Sequence, residues 1–292
     1  MKKVLVTGGA GFIGTNLINR LILKKLKIVS FDNYSTGFKK NEVESVEYIK
    51  GDIESINQFD NQQFDYCFHL AAQSRVQPSF KDPEESFRIN VVGTLKVMEW
   101  AKKNKVKVLY AGSSSKHHDP SDSPYAMTKY LGEEICKLYR KTYDVEAEIS
   151  RFYNVYGPYE PLDENFGNVI GIWRVKVNNG SPLPIVGDGE QRRDFTHVDD
   201  IVEGIIKSSL FISKKEDVFE LGSGKNYSIN ELADMFGEDY PKKYLPHRDG
   251  EMRTTLCDIS SAKQKINYVP TRDLKEYISN WANKNKKNIS QS

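Results

Sequence analysis

The strongest constraint on the fold is the opening stretch "KVLVTGGAGFIGTNLINRLIL". A β-branched run ends in Gly8, Gly11 and Gly14, and an apolar helical pattern starts at once behind them. A glycine triplet alone marks only a tight turn. Placed between a strand and a helix, it lets backbone N–H groups at the helix N-terminus face a pyrophosphate with no Cβ in the way. A second β-branched run, "KIVSFDN", ends in Asp32, eighteen positions past Gly14. An acidic side chain there accepts from the hydroxyls of an adenosine ribose and repels a 2′-phosphate, so NAD is expected in preference to NADP. Asp52, after "YIKG", has two open readings, a neighbour of the adenine or an exposed strand-end carboxylate.

The same alternation continues. "VEYIKGD", "DYCFHLAA", "KVLYAGSS" and "EAEISRFYNVYG" read as buried strands, and "ESFRINVVGTLKVMEWAKKN" and "YAMTKYLGEEICKLYRKTY" as helices. Strand and helix in turn predict an α/β fold, a Rossmann-like doubly wound parallel sheet. From "YGPYEP" the alternation loosens and Pro and Gly increase, which places a boundary near Tyr156. The expected division is a cofactor-binding domain over 1–155, with part of 190–215 packing back on it, and a smaller, mainly substrate-binding domain over 156–292.

Other classes are disfavoured. The 42 basic and 40 acidic residues are interspersed, so nucleic acid is not expected as a partner. No run approaches the roughly 18–20 apolar residues of a membrane span, and "MKKVLVTGG" enters the glycines without a signal-peptide apolar region, so a cytoplasmic protein is expected. Cys67, Cys136 and Cys257 are scattered, which suggests neither disulfides nor a metal site.

Together, "TGGAGFIG", "FDNYSTG", "GDI", "HLAAQSRV", "INVVGT", "YAMTK", "RFYNVYGP", "VGDGEQRRDFTHVDDIVEG" and "LGSGKNYSINEL" carry a resemblance over nearly the whole chain. The sequence resembles the extended short-chain dehydrogenase/reductase family, within it the NAD-dependent nucleotide-sugar epimerases and dehydratases, and most of all the UDP-hexose 4-epimerases. That resemblance implies a cleft closed by the C-terminal domain over a nucleoside diphosphate sugar. It assigns to NAD, besides the glycines and Asp32, the residues Phe12, Ile13, Asn33, Ser35, Thr36, Gly37 and Ile53. Leu70, Ala71, Ala72, Gln73, Asn90, Tyr125 and Tyr153 complete the cofactor set, with Lys129 at the nicotinamide ribose.

The stretch "GSSSKHHDPSDSPYAMTK" carries the chemistry. Ser123 and Pro124 form a helix start, and Tyr125 and Lys129 rise one turn apart from the same face. A nearby ammonium and a bound nicotinamide ring would favour the phenolate and make Tyr125 a base. The family strand count puts the catalytic hydroxyl on Ser113, with Ser114 beside it. Where dehydratases of the family carry an Asp-Glu pair, this chain has Ser114 and Ser115, so dehydration is disfavoured and C4 epimerisation through a 4-keto sugar is expected. A decarboxylase, a 4-keto reductase and a non-catalytic dinucleotide sensor are the rivals. Only twelve positions separate Ser113 from Tyr125, shorter than is usual in the family. Lys116, His117 and His118 replace its customary Val-Tyr-Gly, and the two histidines read as solvated loop residues near the sugar, not metal ligands.

On the substrate side the resemblance points to Asn154, Asn168 and Val169, to Arg193 and Arg248 as a diphosphate clamp with Arg192 and Arg253 as alternates, and to Glu251 at the nucleotide ribose. Thr255 falls where a small residue admits a 2-acetamido group. Leu131, Ile135, Leu138 and Tyr139, with Val91, Leu95 and Met98, form two apolar stripes. The family pairs such helices into a homodimer's four-helix bundle, and packing on the sheet is the other reading.

Overall fold

The structure is a computed structural model and describes residues 2–163, 166–211 and 218–289. Six strands of its main sheet are those read from the sequence: β1 (Lys3–Thr7), β2 (Lys27–Asp32), β3 (Glu47–Lys50), β4 (Tyr66–His69), β5 (Lys107–Ser113) and β6 (Ala147–Phe152). A seventh, Val218–Leu221, comes from far along the chain and pairs parallel with β6. The order across the sheet is Val218–Leu221, β6, β5, β4, β1, β2, β3, and every pairing is parallel. Strand order reverses between β1 and β4, so the chain leaves these neighbours toward opposite edges and opens a crevice at their carboxyl ends.

Helices α1 (Phe12–Ile22), α2 (Val76–Lys81), α3 (Pro83–Phe87), α4 (Gly93–Asn104) and α5 (Pro124–Tyr143) belong to the first half. The single helix expected over "ESFRINVVGTLKVMEWAKKN" is interrupted by a π-helical turn at Arg88–Val92. That turn carries Asn90, in keeping with the habit of π-turns of sitting beside functional sites. The second half adds α6 (Val169–Asn178), α7 (Val198–Leu210), α8 (Ile229–Phe236), α9 (Ser260–Ile266) and α10 (Leu274–Ile289).

The period-two pattern of β1 sorts the core. Val4 and Val6 face a layer formed with α1, α7 and α9, in which Leu17, Ile18, Ile201, Ile205 and Tyr268 are buried. Leu5 faces the opposite layer with Val97 and Met98 of α4 and Cys136 and Tyr139 of α5. Met98 and Tyr139 are thus sheet-packing residues and not parts of an outward stripe. Leu95 and Leu138 do point outward, 39% and 53% exposed. A third cluster around Tyr156, Ile170, Trp173, Leu183 and Leu232 is built by the second half alone. Strand Val218–Leu221 and α9 extend the return of the second half to the main sheet beyond the 190–215 segment expected to do so.

All three cysteines are free and buried. Among the described residues no group of His, Cys, Asp or Glu could hold a metal ion, and no helix is long and apolar enough to cross a membrane.

Candidate active site

A cleft of about 570 Å³ lies over the carboxyl ends of β1, β2, β4, β5 and β6, within the size range of small-molecule sites. Gly8, Gly11, Phe12, Ile13 and Gly14 form one wall. Gly8 has φ +73°, and a Cβ there would lie 2.8 Å from the Ala71 nitrogen; at Gly14 it would lie 2.2 Å from the Gly8 oxygen. Only glycine permits this close approach. Gly11 caps α1 without a side-chain bond, and the first turn holds no acidic residue. Its N–H groups and the positive helix end are therefore available to an anion.

Asp32 is 8% exposed. It accepts from the Ala10 nitrogen at 2.9 Å and from the Tyr34 nitrogen at 2.7 Å. Burial raises its pKa, and these backbone donors pull the other way. Asn33, Ser35 and Thr36 line the cleft next to it, as do Ile53, Leu70, Ala71 and Ala72. Gly37 instead closes over the glycine turn, where a Cβ would lie 2.9 Å from the Ala10 carbonyl carbon.

Asp52 does not stand on the cleft wall. Its carboxylate is engaged by Arg88 at 3.0 and 3.1 Å and caps the following turn through the Glu54 nitrogen. The Arg88 hydrogen bond holds its pKa low. Gln73 and Asn90 also lie behind the wall. Asn90 accepts from the Gln73 nitrogen at 2.8 Å and donates to the Gln73 oxygen and to Thr128 Oγ1, which ties β4's exit loop to α5. His69 bridges Thr7 Oγ1 and Thr94 Oγ1, and burial drops its pKa to about 3, so it stays neutral.

At the other end, Ser123 caps α5 by accepting from the Ala126 nitrogen, with Pro124 next. This sets Tyr125 in the first turn, where its hydroxyl donates to Ser113 Oγ at 3.3 Å. Ser115 donates to the same Oγ from its hydroxyl, at 3.0 Å, and from its backbone nitrogen. Burial raises the Tyr125 pKa, and the Ser113 hydrogen bond and the Arg75 guanidinium oppose that rise. Lys129, 4% exposed, does not hydrogen-bond the phenol. It donates to the Ala111 carbonyl and lies 4.4 Å over the Tyr110 ring, and burial lowers its pKa to about 8. The expected partnership is corrected accordingly: a buried ammonium seeks the nearest buried acceptor, which here is a carbonyl. The neighbouring charge that favours the phenolate is Arg75.

Asn154, Asn168, Val169, Arg193, Arg248 and Glu251 line the facing wall. Asn168 caps α6 through the Gly171 nitrogen at 2.8 Å. Arg193, 7% exposed, donates to Glu251 at 3.1 Å. Arg192 and Arg253 turn elsewhere, to Glu231 and Asp188. Thr255 is off the wall as well: it is 4% exposed and accepts from Asn154 Nδ2 and the Asp194 nitrogen. It supports Asn154 from behind, so its size does not set room for a 2-acetamido group directly. Tyr153 is also set back, donating to Glu220 at 2.8 Å. The two histidines part company. His117 pairs with Glu220 at 3.0 Å, whereas His118 enters the cleft wall, where burial lowers its pKa. Arg75, Ser115 and Asp122 also line the cleft, beyond the residues that the sequence assigns to the site, and Arg75 belongs to the "HLAAQSRV" stretch.

A family model described as "NAD dependent epimerase/dehydratase family" matches residues 4–222. A "Putative UDP-glucose 4-epimerase" of Methanocaldococcus jannaschii is 34% identical, covering 97% of this chain and 99% of the relative. A "UDP-glucuronate 4-epimerase" of Thermodesulfobacterium geofontis is 31% identical over 99% of this chain and 98% of its own length. Among solved structures, the UDP-N-acetylglucosamine 4-epimerase from Methanobrevibacter ruminantium M1, in complex with UDP-N-acetylmuramic acid, superposes with a TM-score of 0.88. It is 31% identical, with 100% of this chain and 99% of that one covered.

Proposed function

The chain belongs to the NAD-dependent epimerase/dehydratase family, and from that premise we propose that it inverts C4 of a nucleoside diphosphate hexose, a UDP-sugar, with NAD as resident cofactor. The observation that carries this reading is the Tyr125–Ser113 contact on the cleft wall, in a site whose positions 114 and 115 are serines.

The residues fit NAD. The Cβ-free turn of Gly8, Gly11 and Gly14 and the uncapped amides of α1 suit its pyrophosphate, and Asp32 suits the adenosine ribose. Lys129 spends one ammonium proton on Ala111 and keeps two for the nicotinamide ribose. NAD, when bound, supplies reversible hydride exchange.

The chain's own part is proton handling and positioning. Tyr125 takes the O4 proton of the hexose and returns it to the opposite epimer. Ser113 holds that oxygen and orients the phenol, and Ser115 fixes Ser113. Arg193, backed by Glu251, and Arg248 meet the diphosphate, while Asn154 and Asn168 hold the sugar-nucleotide in register. Elimination of water needs a paired acid and base at positions 114 and 115, and serine hydroxyls do not supply one at neutral pH.

On this reading residues 1–155, joined by α7 and strand Val218–Leu221, form the cofactor half, and most of 156–292 forms the substrate half. Exposed Leu95 and Leu138, on adjacent helices α4 and α5, support a homodimer through a four-helix bundle. Three free, buried cysteines accord with the reducing cytoplasm. The test is NMR of UDP-hexoses incubated with the purified protein: a C4-inverted product without net NADH is expected, and net NADH or loss of carbon would refute it.

A further inference from the structure

Most cations on the cleft wall have a partner or a task in the reading above: Lys129 donates to Ala111, Arg193 pairs with Glu251, and Arg248 stands at the exposed rim. Arg75 is different. It immediately precedes α2, and that helix is pinned to the reacting corner because Ser79 Oγ, one turn on, accepts from the Tyr125 nitrogen at 3.0 Å. Its Nε donates to the Phe166 carbonyl at 2.9 Å, which fixes the guanidinium plane against the loop facing the sheet. Among the described residues its two terminal nitrogens have no hydrogen-bond partner.

The carboxylates in its electrostatic reach are engaged elsewhere. Glu160 pairs with Arg174 and accepts from Asn168, each at 2.8 Å, and Asp163 accepts from the Phe166 nitrogen at 2.7 Å. A half-buried, clamped guanidinium with two open donors is a preorganised fork, and its natural complement is a planar carboxylate. Arg193 and Arg248 already serve the diphosphate. Arg75 lines the same cleft wall as Tyr125 and the two interact electrostatically; Tyr125 acts at O4, and the next ring carbon, C5, bears the exocyclic group.

Resting on the epimerase reading, we propose that Arg75 is a specificity residue: its terminal N–H groups receive a carboxylate on C5 of the hexose, so the site is built for a nucleotide-linked uronate. With a neutral hexose the guanidinium would be left desolvated and unmatched when the cleft fills.

The test compares UDP-glucuronate with UDP-glucose in wild type, Arg75→Gln and Arg75→Lys. Wild type is expected to favour the uronate in kcat/KM. Arg75→Gln should lower the uronate-to-glucose ratio about tenfold to hundredfold, the effect of losing a charge-assisted pair, while the lost field at Tyr125 slows both sugars alike and cancels in the ratio. Arg75→Lys should restore part of it. An unchanged ratio in Arg75→Gln, or a wild type that inverts UDP-glucose and ignores the uronate, overturns the Arg75 assignment and leaves the epimerase standing. Calorimetric binding of both nucleotides to the same variants separates the two readings. If neither sugar is inverted yet Arg75→Gln selectively weakens UDP-glucuronate binding, the reaction is wrong and the recognition right; equal weakening of both overturns the recognition.

Discussion

Alanine at Gly11 separates binding from folding. A Cβ at Gly11 meets one atom within 4 Å, the Gly8 oxygen at 3.3 Å, and otherwise projects into open cleft. The backbone there is extended, φ −79° and ψ 177°, which alanine adopts freely. The tight contact costs a little, and reduced freedom of the unfolded chain offsets it by about 0.4–1 kcal/mol, so folding stability should move by less than about 1 kcal/mol. The methyl group, however, occupies the mouth of α1, where a pyrophosphate must approach the amides. Losing one charge-assisted backbone hydrogen bond costs about 1.5–3 kcal/mol, or roughly tenfold to more than a hundredfold in NAD affinity. Gly14→Ala is the contrast, since its Cβ would stand 2.2 Å from the Gly8 oxygen and 2.7 Å from the Gly9 Cα, so the turn itself must open. NAD content after purification, read from the denatured supernatant, and thermal melting are the assays. Gly11→Ala should lose NAD with its melting temperature in the absence of cofactor nearly unchanged, whereas Gly14→Ala should lose both. Full NAD retention in Gly11→Ala would refute the placement of the pyrophosphate.

Lys129 gives a pH signature. Burial lowers its pKa from 10.5 to about 8, so between those values the unfolded chain holds a proton that the folded chain has released, and stability contributed at this site rises with pH. Relative to Lys129→Met, cofactor-free wild type should gain up to about 3 kcal/mol between pH 7.5 and 10.5 in denaturant titrations, with the penalty fully present below about pH 8; a flat difference would refute it. Glu133 is 1% exposed in its side chain and accepts three hydrogen bonds from Arg151, which also pairs with Glu220. Glu133→Gln should cost about 3 kcal/mol, the low end for breaking a buried pair because Glu220 remains. A melting temperature within a degree of wild type would show the pair to be dispensable.

The glycine turn, the first six strands and α5 were legible because each is local: a period-two apolar run, a capping Ser-Pro, a Cβ-free turn. Strand Val218–Leu221 was not, since four residues are too few to show a period and they join the sheet only through tertiary pairing with β6. The π-turn at Arg88–Val92 escaped for a related reason, because its residues keep helical φ/ψ preferences and only the hydrogen-bond register shifts. Within the site, residue types pointed to the right neighbourhood but not to side-chain direction. Lys129 shares a helix face with Tyr125 yet bonds to Ala111, Asp52 is taken by Arg88, and Thr255 turns inward to Asn154. Arg75 lies within the "HLAAQSRV" stretch, but its orientation depends on Phe166, ninety-one positions away.

The central claim is that Tyr125 is the base for C4 inversion. It is tested most directly by following UDP-hexose inversion by NMR in wild type and Tyr125→Phe, both loaded with NAD. Among the described residues the hydroxyl's hydrogen bond is to Ser113, at 3.3 Å, so Tyr125→Phe should fold and keep its NAD while inverting its substrate about a hundredfold to ten-thousandfold more slowly. Inversion by Tyr125→Phe at the wild-type rate would contradict the account.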